Sequence, residues 1–145
     1  MRNLTIIHVG AMKEAYYTEA VKEYEKRVSN EFSIKDICIK ESMVEDEGGK
    51  VLAKLTDKSY KIALCVEGIS MSSERFAQTL YKDAEGKPLE IIIGGHEGLS
   101  EKVKSVCNAR ISFSAMTFPH RLMRVILAEQ IYRAYTIDKG LKYHK

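Results

Sequence analysis

The chain has 145 residues, 45% of them hydrophobic, and a chain of this length can bury roughly two-thirds of its unfolded surface in one core without staples. No apolar run approaches the ~20 residues that span a bilayer, and the short run Leu4–Val9 predicts a strand and not a signal peptide. The net charge of +3 permits an anionic partner without requiring one. We therefore expect a single cytoplasmic domain over residues 1–145, with no membrane segment.

Strands and helices alternate along the whole chain. Apolar, partly β-branched runs predict five strands, at Leu4–Val9, Phe32–Ile39, Ile62–Val66, Leu89–Ile93 and Ala109–Phe113. Apolar spacing and capping residues predict helices at Lys13–Val28, from near the acidic stretch to about Leu55, from Ser72 or Ser73 to about Tyr81, from Ser100 to about Cys107, and from Pro119 to about Tyr135. The alternation predicts an α/β fold, a parallel sheet with helices on both faces. The acidic segment Glu45–Gly49 is predicted to be the most mobile part.

A glycine turn follows the fourth predicted strand, at Gly94–Gly98. Ligands of open parallel sheets bind beyond the carboxyl ends of the strands, and glycine lets the backbone come close to a ligand or adopt a positive φ. A tight strand-to-helix turn would need the same glycines. Neither the dinucleotide-binding nor the Walker pattern is present.

A second polar loop, Ser114–Pro119, follows the fifth predicted strand. Its hydroxyls and backbone groups can bond a ligand, and Met116 and Phe118 can pack on an adenine ring. Equally, the loop can be an ordinary connection whose apolar side chains join the core.

The last predicted helix carries His120 and Arg124 one turn apart, and an apolar stripe wide enough for a buried helix or a subunit interface, formed by Leu122, Val125, Ile126, Ile131 and Ala134. The charges on this helix can simply be a solvated face. The chain then ends on Tyr143-His144-Lys145. These residues are chemically rich, but chain termini are commonly disordered.

Cysteine and histidine spacing gives no sign of a metal site. Cys38, Cys65 and Cys107 are odd in number and form no CxxC pair, and Cys38 and Cys65 stand in apolar runs, where a free thiol acts as a small hydrophobe. His8 and His96 stand near strand ends, and a hydrogen-bonded polar role is the simplest interpretation of both.

The order of these motifs resembles the RlmH family, SPOUT-class methyltransferases that modify large-subunit ribosomal RNA. The resemblance covers essentially the whole chain and is carried by Gly94-Gly95-x-x-Gly98-Leu, Ser114-x-Met116-Thr117-Phe118-Pro119-His120, Met123-Arg124-Val125, Glu129-Gln130-x-Tyr132-Arg133-Ala134 and Tyr143-His144, with weaker matches at Val9-Gly10-x-x-Lys13 and Glu23-Tyr24-x-Lys26-Arg27. The segment between Ile39 and Leu52 looks shorter than in that family, which leaves substrate contacts from this segment in doubt.

This resemblance implies a SPOUT-type α/β knot with a C-terminal trefoil knot, a homodimer, and S-adenosylmethionine as the methyl donor. It implies methylation of N3 of a pseudouridine in the helix 69 loop of 23S rRNA, on the assembled ribosome. The implied cofactor-binding residues are Leu64, Gly94, Phe113, Ser114, Ala115, Met116, Thr117 and Phe118. Tyr143 and His144 match the family ending that reaches a neighbouring subunit's pocket.

The residues suit this chemistry, because a sulfonium donor carries an activated methyl group and the protein mainly has to align it. N3 must lose a proton, and a histidine such as His144 is a side chain that can accept one. Arg124 can steady a phosphate or an exposed carbonyl. We expect the tail, Tyr143–Lys145, to serve the substrate and not folding.

Two other functions stay open at this point. One is a non-enzymatic, ribosome-associated RNA-binding module, which would have no cofactor affinity. The other is a different nucleotide enzyme that uses the glycine turn for phosphate, although the chain lacks a phosphate-binding lysine beside that turn.

Overall fold

A computed structural model describes residues 1–145. Its strands are β1 (Arg2–Val9), β2 (Phe32–Ile39), β3 (Tyr60–Ser70), β4 (Leu89–Ile93) and β5 (Ala109–Ser112). Its helices are α1 (Ala15–Arg27), α2 (Val44–Lys54), α3 (Ser73–Gln78, continued by a π-helical turn at Thr79–Asp83), α4 (Glu101–Ser105) and α5 (His120–Lys139).

The five strands form one parallel sheet in the order β2-β1-β4-β3-β5. The predicted α/β fold is therefore confirmed. Neighbouring residues of one strand face opposite sides of the sheet, so Ile6 and Ile91 join one core while Ile7 and Ile92 join the other. The larger core packs beneath α3 and α5, with Phe76, Leu127 and Ile131 buried in it, and the smaller lies beneath α2 and α4.

The helix starts follow the predicted caps in two cases. The hydroxyls of Ser72 and Ser100 accept from the N–H groups of Arg75 and Val103, respectively. Helix α5 runs four residues beyond the predicted end at Tyr135 and stops at Gly140, which has φ +68°. The N–H of Leu141 then bonds back to the carbonyl of Thr136 at 2.8 Å, an arrangement that satisfies an end carbonyl of the helix.

The prediction of a mobile acidic segment at Glu45–Gly49 is wrong. These residues lie in α2, and Glu47 and Gly48 are buried. Three acidic residues occupy the first turn of that helix, where the helix dipole favours negative charge. Gly48 touches the Ser100 side chain so closely that a Cβ would not fit, and Glu47 accepts from the N–H of Ser42 at 2.8 Å.

Cys38 also differs from expectation, because it is exposed on the edge strand β2 and not packed as a small hydrophobe. No grouping of histidine, cysteine and carboxylate side chains suited to a metal ion is present. None of the helices combines the length and apolar character needed to cross a bilayer.

Candidate active site

The three segments predicted to bind a cofactor meet at the carboxyl edge of the sheet. Leu64 of β3 pairs in register with Ile93 of β4 and with Ile111 of β5. The glycine turn that follows β4 and the loop 113–118 that follows β5 therefore start beside Leu64, where the pairing of β3 shifts register before the strand continues to Ser70. This edge is where open parallel sheets bind ligands.

The glycine turn is closed by its own backbone. Gly95 and Gly98 form an isolated bridge, and the N–H of Gly98 donates to the carbonyl of Gly95 at 3.0 Å. Gly98 has φ +79°, whereas Gly94 has no positive φ. A Cβ on Gly94 would lie 2.5 Å from the carbonyl carbon of Gly98. The turn therefore needs glycine at 94 because two backbone segments touch there, which corrects the positive-φ alternative.

The loop 113–118 is anchored at its start and open afterwards. Phe113 packs edge-on against Phe76 with ring centroids 5.4 Å apart, and the N–H of Met116 donates to Ser114 Oγ at 3.0 Å. The N–H groups of Ala115, Thr117 and Phe118 have no intramolecular partner, and the Met116 side chain is 71% exposed. Free backbone donors beside an exposed apolar side chain suit the polar edge and the flat face of an adenine ring.

Arg124 lies inside the protein, which does not agree with the predicted contact to a phosphate or carbonyl. The residue is 2% exposed, and its Nε and Nη2 donate to Asp36 Oδ1 at 3.0 and 2.9 Å. Nη2 also pairs with Glu25. Arg124 thus ties α5 to β2 and α1. Burial raises the pKa of Asp36, but the hydrogen bonds and positive charges of His8 and Arg124 outweigh this effect. The pKa of Asp36 is therefore lower than that of an ordinary aspartate.

His8 has the hydrogen-bonded placement expected from sequence, whereas the side chain of His96 makes no hydrogen bond. His8 is buried, donates from Nδ1 to the Gly10 carbonyl at 3.0 Å, and places Nε2 2.7 Å from Asp36 Oδ2. His96 is exposed in the glycine turn.

The tail folds back onto its own chain. The Tyr143 ring packs edge-on against Tyr132 at 4.6 Å, and the Arg133 guanidinium lies 4.8 Å from the Tyr143 ring centroid. His144 bonds through Nδ1 to Arg133 at 3.1 Å and through Nε2 to Glu74 at 3.0 Å. The tail is therefore an ordered element of the fold and not a disordered terminus.

The structure adds residues that the sequence patterns did not single out, namely Glu25, Asp36, Glu41 and Glu74. An acidic residue inside the apolar strand β2 was the available signal for Asp36. Glu41 and Glu74 are exposed and Glu25 is half-buried on its helix, and nothing in the local sequence distinguishes the three from solvated charges.

A separate cleft of about 420 Å³ lies between the start of β5, the end of β3 and α3. None of the predicted cofactor residues lines it, and the ion pair between Arg75 and Asp83, at 2.8 Å, occupies its polar side. The cofactor prediction therefore gains no support from this cleft.

Comparison with known proteins identifies the family. The family model described as "Predicted SPOUT methyltransferase" matches residues 2–144. A ribosomal RNA large subunit methyltransferase H from Caldicellulosiruptor saccharolyticus is 40% identical, over 98% of this chain and 99% of the relative. A protein of the same name from Clostridioides difficile is 41% identical, over 99% of each chain.

Solved structures with little sequence similarity share the fold. A probable methylase family protein from Haemophilus influenzae matches with a TM-score of 0.63 and 9% identity, over 99% of this chain and 71% of that chain. TrmJ from Z. mobilis matches with a TM-score of 0.53 and 14% identity, over 91% of this chain and 70% of that chain. At these identities the likeness concerns the fold alone.

Proposed function

Because the chain belongs to the SPOUT methyltransferase family, we propose that it methylates N3 of a pseudouridine in the helix 69 loop of 23S rRNA, with S-adenosylmethionine as the methyl donor. The convergence of Leu64, the glycine turn and the loop 113–118 at one edge of the sheet carries the proposal. The names of the relatives, ribosomal RNA large subunit methyltransferase H, support an RNA substrate.

The residues at this edge fit the donor. The free N–H groups of Ala115, Thr117 and Phe118 would bond the adenine edge, Met116 would cover the ring face, and Leu64 would form the apolar floor. Gly94 would serve indirectly, by holding the turn closed beside the ligand. When bound, S-adenosylmethionine supplies a methyl group already activated on a sulfonium, so these residues act by alignment.

The acceptor side of the site involves the tail. Tyr143 and His144 would contact the RNA loop, since tyrosine stacks on unpaired bases. In the family pattern this ending acts in a neighbouring subunit, so the homodimer, the C-terminal trefoil knot and the assembled ribosome in the cytoplasm are parts of the same proposal. Arg124 would hold the start of α5 in place through Asp36 and Glu25 and not touch the RNA. The chemistry needs no metal ion.

Two measurements test the proposal. Calorimetric titration with S-adenosylmethionine should show binding that weakens about fivefold in Met116→Ala, equivalent to ~1 kcal/mol for partial loss of a buried side chain. Met43→Ala, which removes an equally exposed methionine from the start of α2, is the control and should leave the affinity unchanged.

Methyl transfer from radiolabelled S-adenosylmethionine should modify 70S ribosomes, and nucleoside mass spectrometry should place the label on N3 of the pseudouridine. Ribosomes that carry uridine instead of pseudouridine in that loop are the control substrate. Absence of cofactor binding would favour the non-enzymatic RNA-binding module. Cofactor binding with the label at another position would refute the proposed target.

A further inference from the structure

His120 lies at the carboxyl edge of the sheet, and its ring atom Nε2 makes no hydrogen bond within the protein. It is the first residue of α5 and follows the loop 113–118 by two positions. Its side chain is 19% exposed. The Nε2 atom is buried without a hydrogen-bond partner, and the nearest carboxylate oxygen, Glu41 Oε1, lies 3.4 Å away.

Gly10 places this histidine beside the glycine turn. A Cβ on Gly10 would lie 2.6 Å from His120 Nε2 and 2.5 Å from Glu41 Oε1, so both side chains close over a bare backbone. The preceding residues connect it to the turn, because His8 pairs with Ile93 and the Val9 side chain fills the space next to Gly95. His120 and Glu41 therefore lie at the carboxyl edge of the sheet, at the end of β1 and next to the strand that leads into the glycine turn.

The surroundings of His120 favour its neutral form. Burial and the neighbouring cation Arg121 lower its pKa below the ordinary histidine value, His8 of β1 acts in the same direction, and Glu41 and Glu47 oppose them. The imidazole is thus neutral at neutral pH. Glu41, in the loop between β2 and α2, is positioned to stabilise the cation formed when the imidazole gains a proton.

We propose that His120 accepts the N3 proton of the methylated base and that Glu41 stabilises the resulting imidazolium. This inference rests on the proposed function. N3 forms its bond to the methyl carbon as the N3–H bond breaks, the proton moves to His120 Nε2, and the electron pair of the broken carbon–sulfur bond stays on sulfur. The proton then leaves to water.

His144, which the sequence offered as one group able to take the proton, is less suited to this role in the structure. Both of its ring nitrogens already have partners, Arg133 and Glu74, whereas His120 Nε2 has none. A base requires a free lone pair within reach of the proton it removes.

The test compares His120→Gln, Glu41→Gln and the control Glu45→Gln in single-turnover methylation of ribosomes at saturating cofactor, from pH 5 to pH 9. Glutamine places a neutral hydrogen-bond acceptor near the position of Nε2 but cannot take a proton. Glu45 is exposed on α2 and makes no ion pair, so its variant removes the same charge without touching His120.

We expect His120→Gln to lower the rate about 100-fold at neutral pH and to replace the plateau with a rise in rate with pH, as hydroxide takes over. Glu41→Gln should move the acidic limb of the profile to lower pH, because loss of the carboxylate lowers the pKa of His120 further. Glu45→Gln should match the wild type.

Imidazole NMR titration of the free protein gives a second measurement, independent of turnover. One histidine should titrate below the ordinary value, disappear in His120→Gln and shift lower in Glu41→Gln. A normal rate and profile in His120→Gln, with wild-type protein that methylates ribosomes, would overturn this inference alone. Wild-type protein without methyl transfer would instead refute the proposed function.

Discussion

Gly48, Gly49 and Gly94 show how differently one residue type acts in this chain. Gly94 sits where two backbone segments touch, and Gly48 where α2 meets the Ser100 side chain. Gly49 is exposed in the same helix, with no atom within 4 Å of an added Cβ. The sequence alone does not distinguish these three glycines. The atoms packed around each one in the folded chain decide whether glycine is required there.

The glycines therefore predict opposite changes in stability. Gly94→Ala should lower the free energy of unfolding by about 2 kcal/mol, because the methyl group must displace backbone of the turn. Gly49→Ala should raise it by about 0.5–1 kcal/mol, since alanine favours a helix more than glycine does. Urea denaturation measures both. Equal effects in the two variants would contradict the close contact at Gly94.

The close backbone contact at Gly94 makes this residue a poor position for testing cofactor binding by mutation. A valine there would disturb the turn before it could meet a ligand, so weakened binding in Gly94→Val would not identify a ligand contact. The exposed Met116 and the free amides of the loop provide the cleaner probe, since they make few contacts within the protein.

Among the elements, α5 and the tail differ most from the sequence prediction. The apolar stripe of α5 is only partly used within the chain: Ile131 and Ala134 are buried in the main core, whereas Leu122, Val125 and Ile126 remain half-buried. The tail returns along this helix, and burial together with the nearby Glu129 raises the pKa of Tyr143, which keeps its hydroxyl protonated.

Deletion of residues 143–145 should therefore affect folding as well as activity. An aromatic pair and a cation–π contact contribute about 1–2 kcal/mol together, so the truncated protein should unfold at lower urea concentration. Tyr143→Phe keeps the ring packing and should retain most of this stability. A truncated protein as stable as the full chain would show that the tail is not docked on its own chain in solution.

The same deletion should abolish methyl transfer to ribosomes while S-adenosylmethionine affinity changes little, because the tail lies outside the loop 113–118. Full activity without the tail would remove Tyr143 and His144 from the proposed site.

For the molecule as a whole, the proposed homodimer gives a direct measurement. The half-buried residues Leu122, Val125 and Ile126 of α5 offer apolar surface that a partner subunit would cover. Two-fold pairing is the commonest closed arrangement. Light scattering at micromolar concentration should give twice the 16.5 kDa of one chain, and a mass of 16.5 kDa would contradict the dimer.

The predicted strands, the parallel sheet and the caps at Ser72 and Ser100 followed from local patterns, because β-branched runs and capping hydroxyls act over a few residues. The position of the two loops also followed from sequence. Each loop follows a predicted strand, and parallel strands end at the same edge of the sheet, so the predicted cofactor residues had to lie at one edge. Family membership also followed from sequence, since motif order survives where single motifs are ambiguous.

Only the folded chain decided the roles of individual charges. The sequence pattern is compatible with Arg124 on a solvated helix face, yet in the fold it is buried and paired with Asp36 and Glu25, which are far away in sequence. His120 lies against Gly10 and Glu41, which are equally distant in sequence. The sequence pattern of the tail is also compatible with a disordered terminus, whereas in the fold Tyr143 packs on Tyr132 and His144 pairs with Glu74. Burial and ion pairing depend on which distant segments become neighbours, and that is a property of the tertiary fold and not of local sequence.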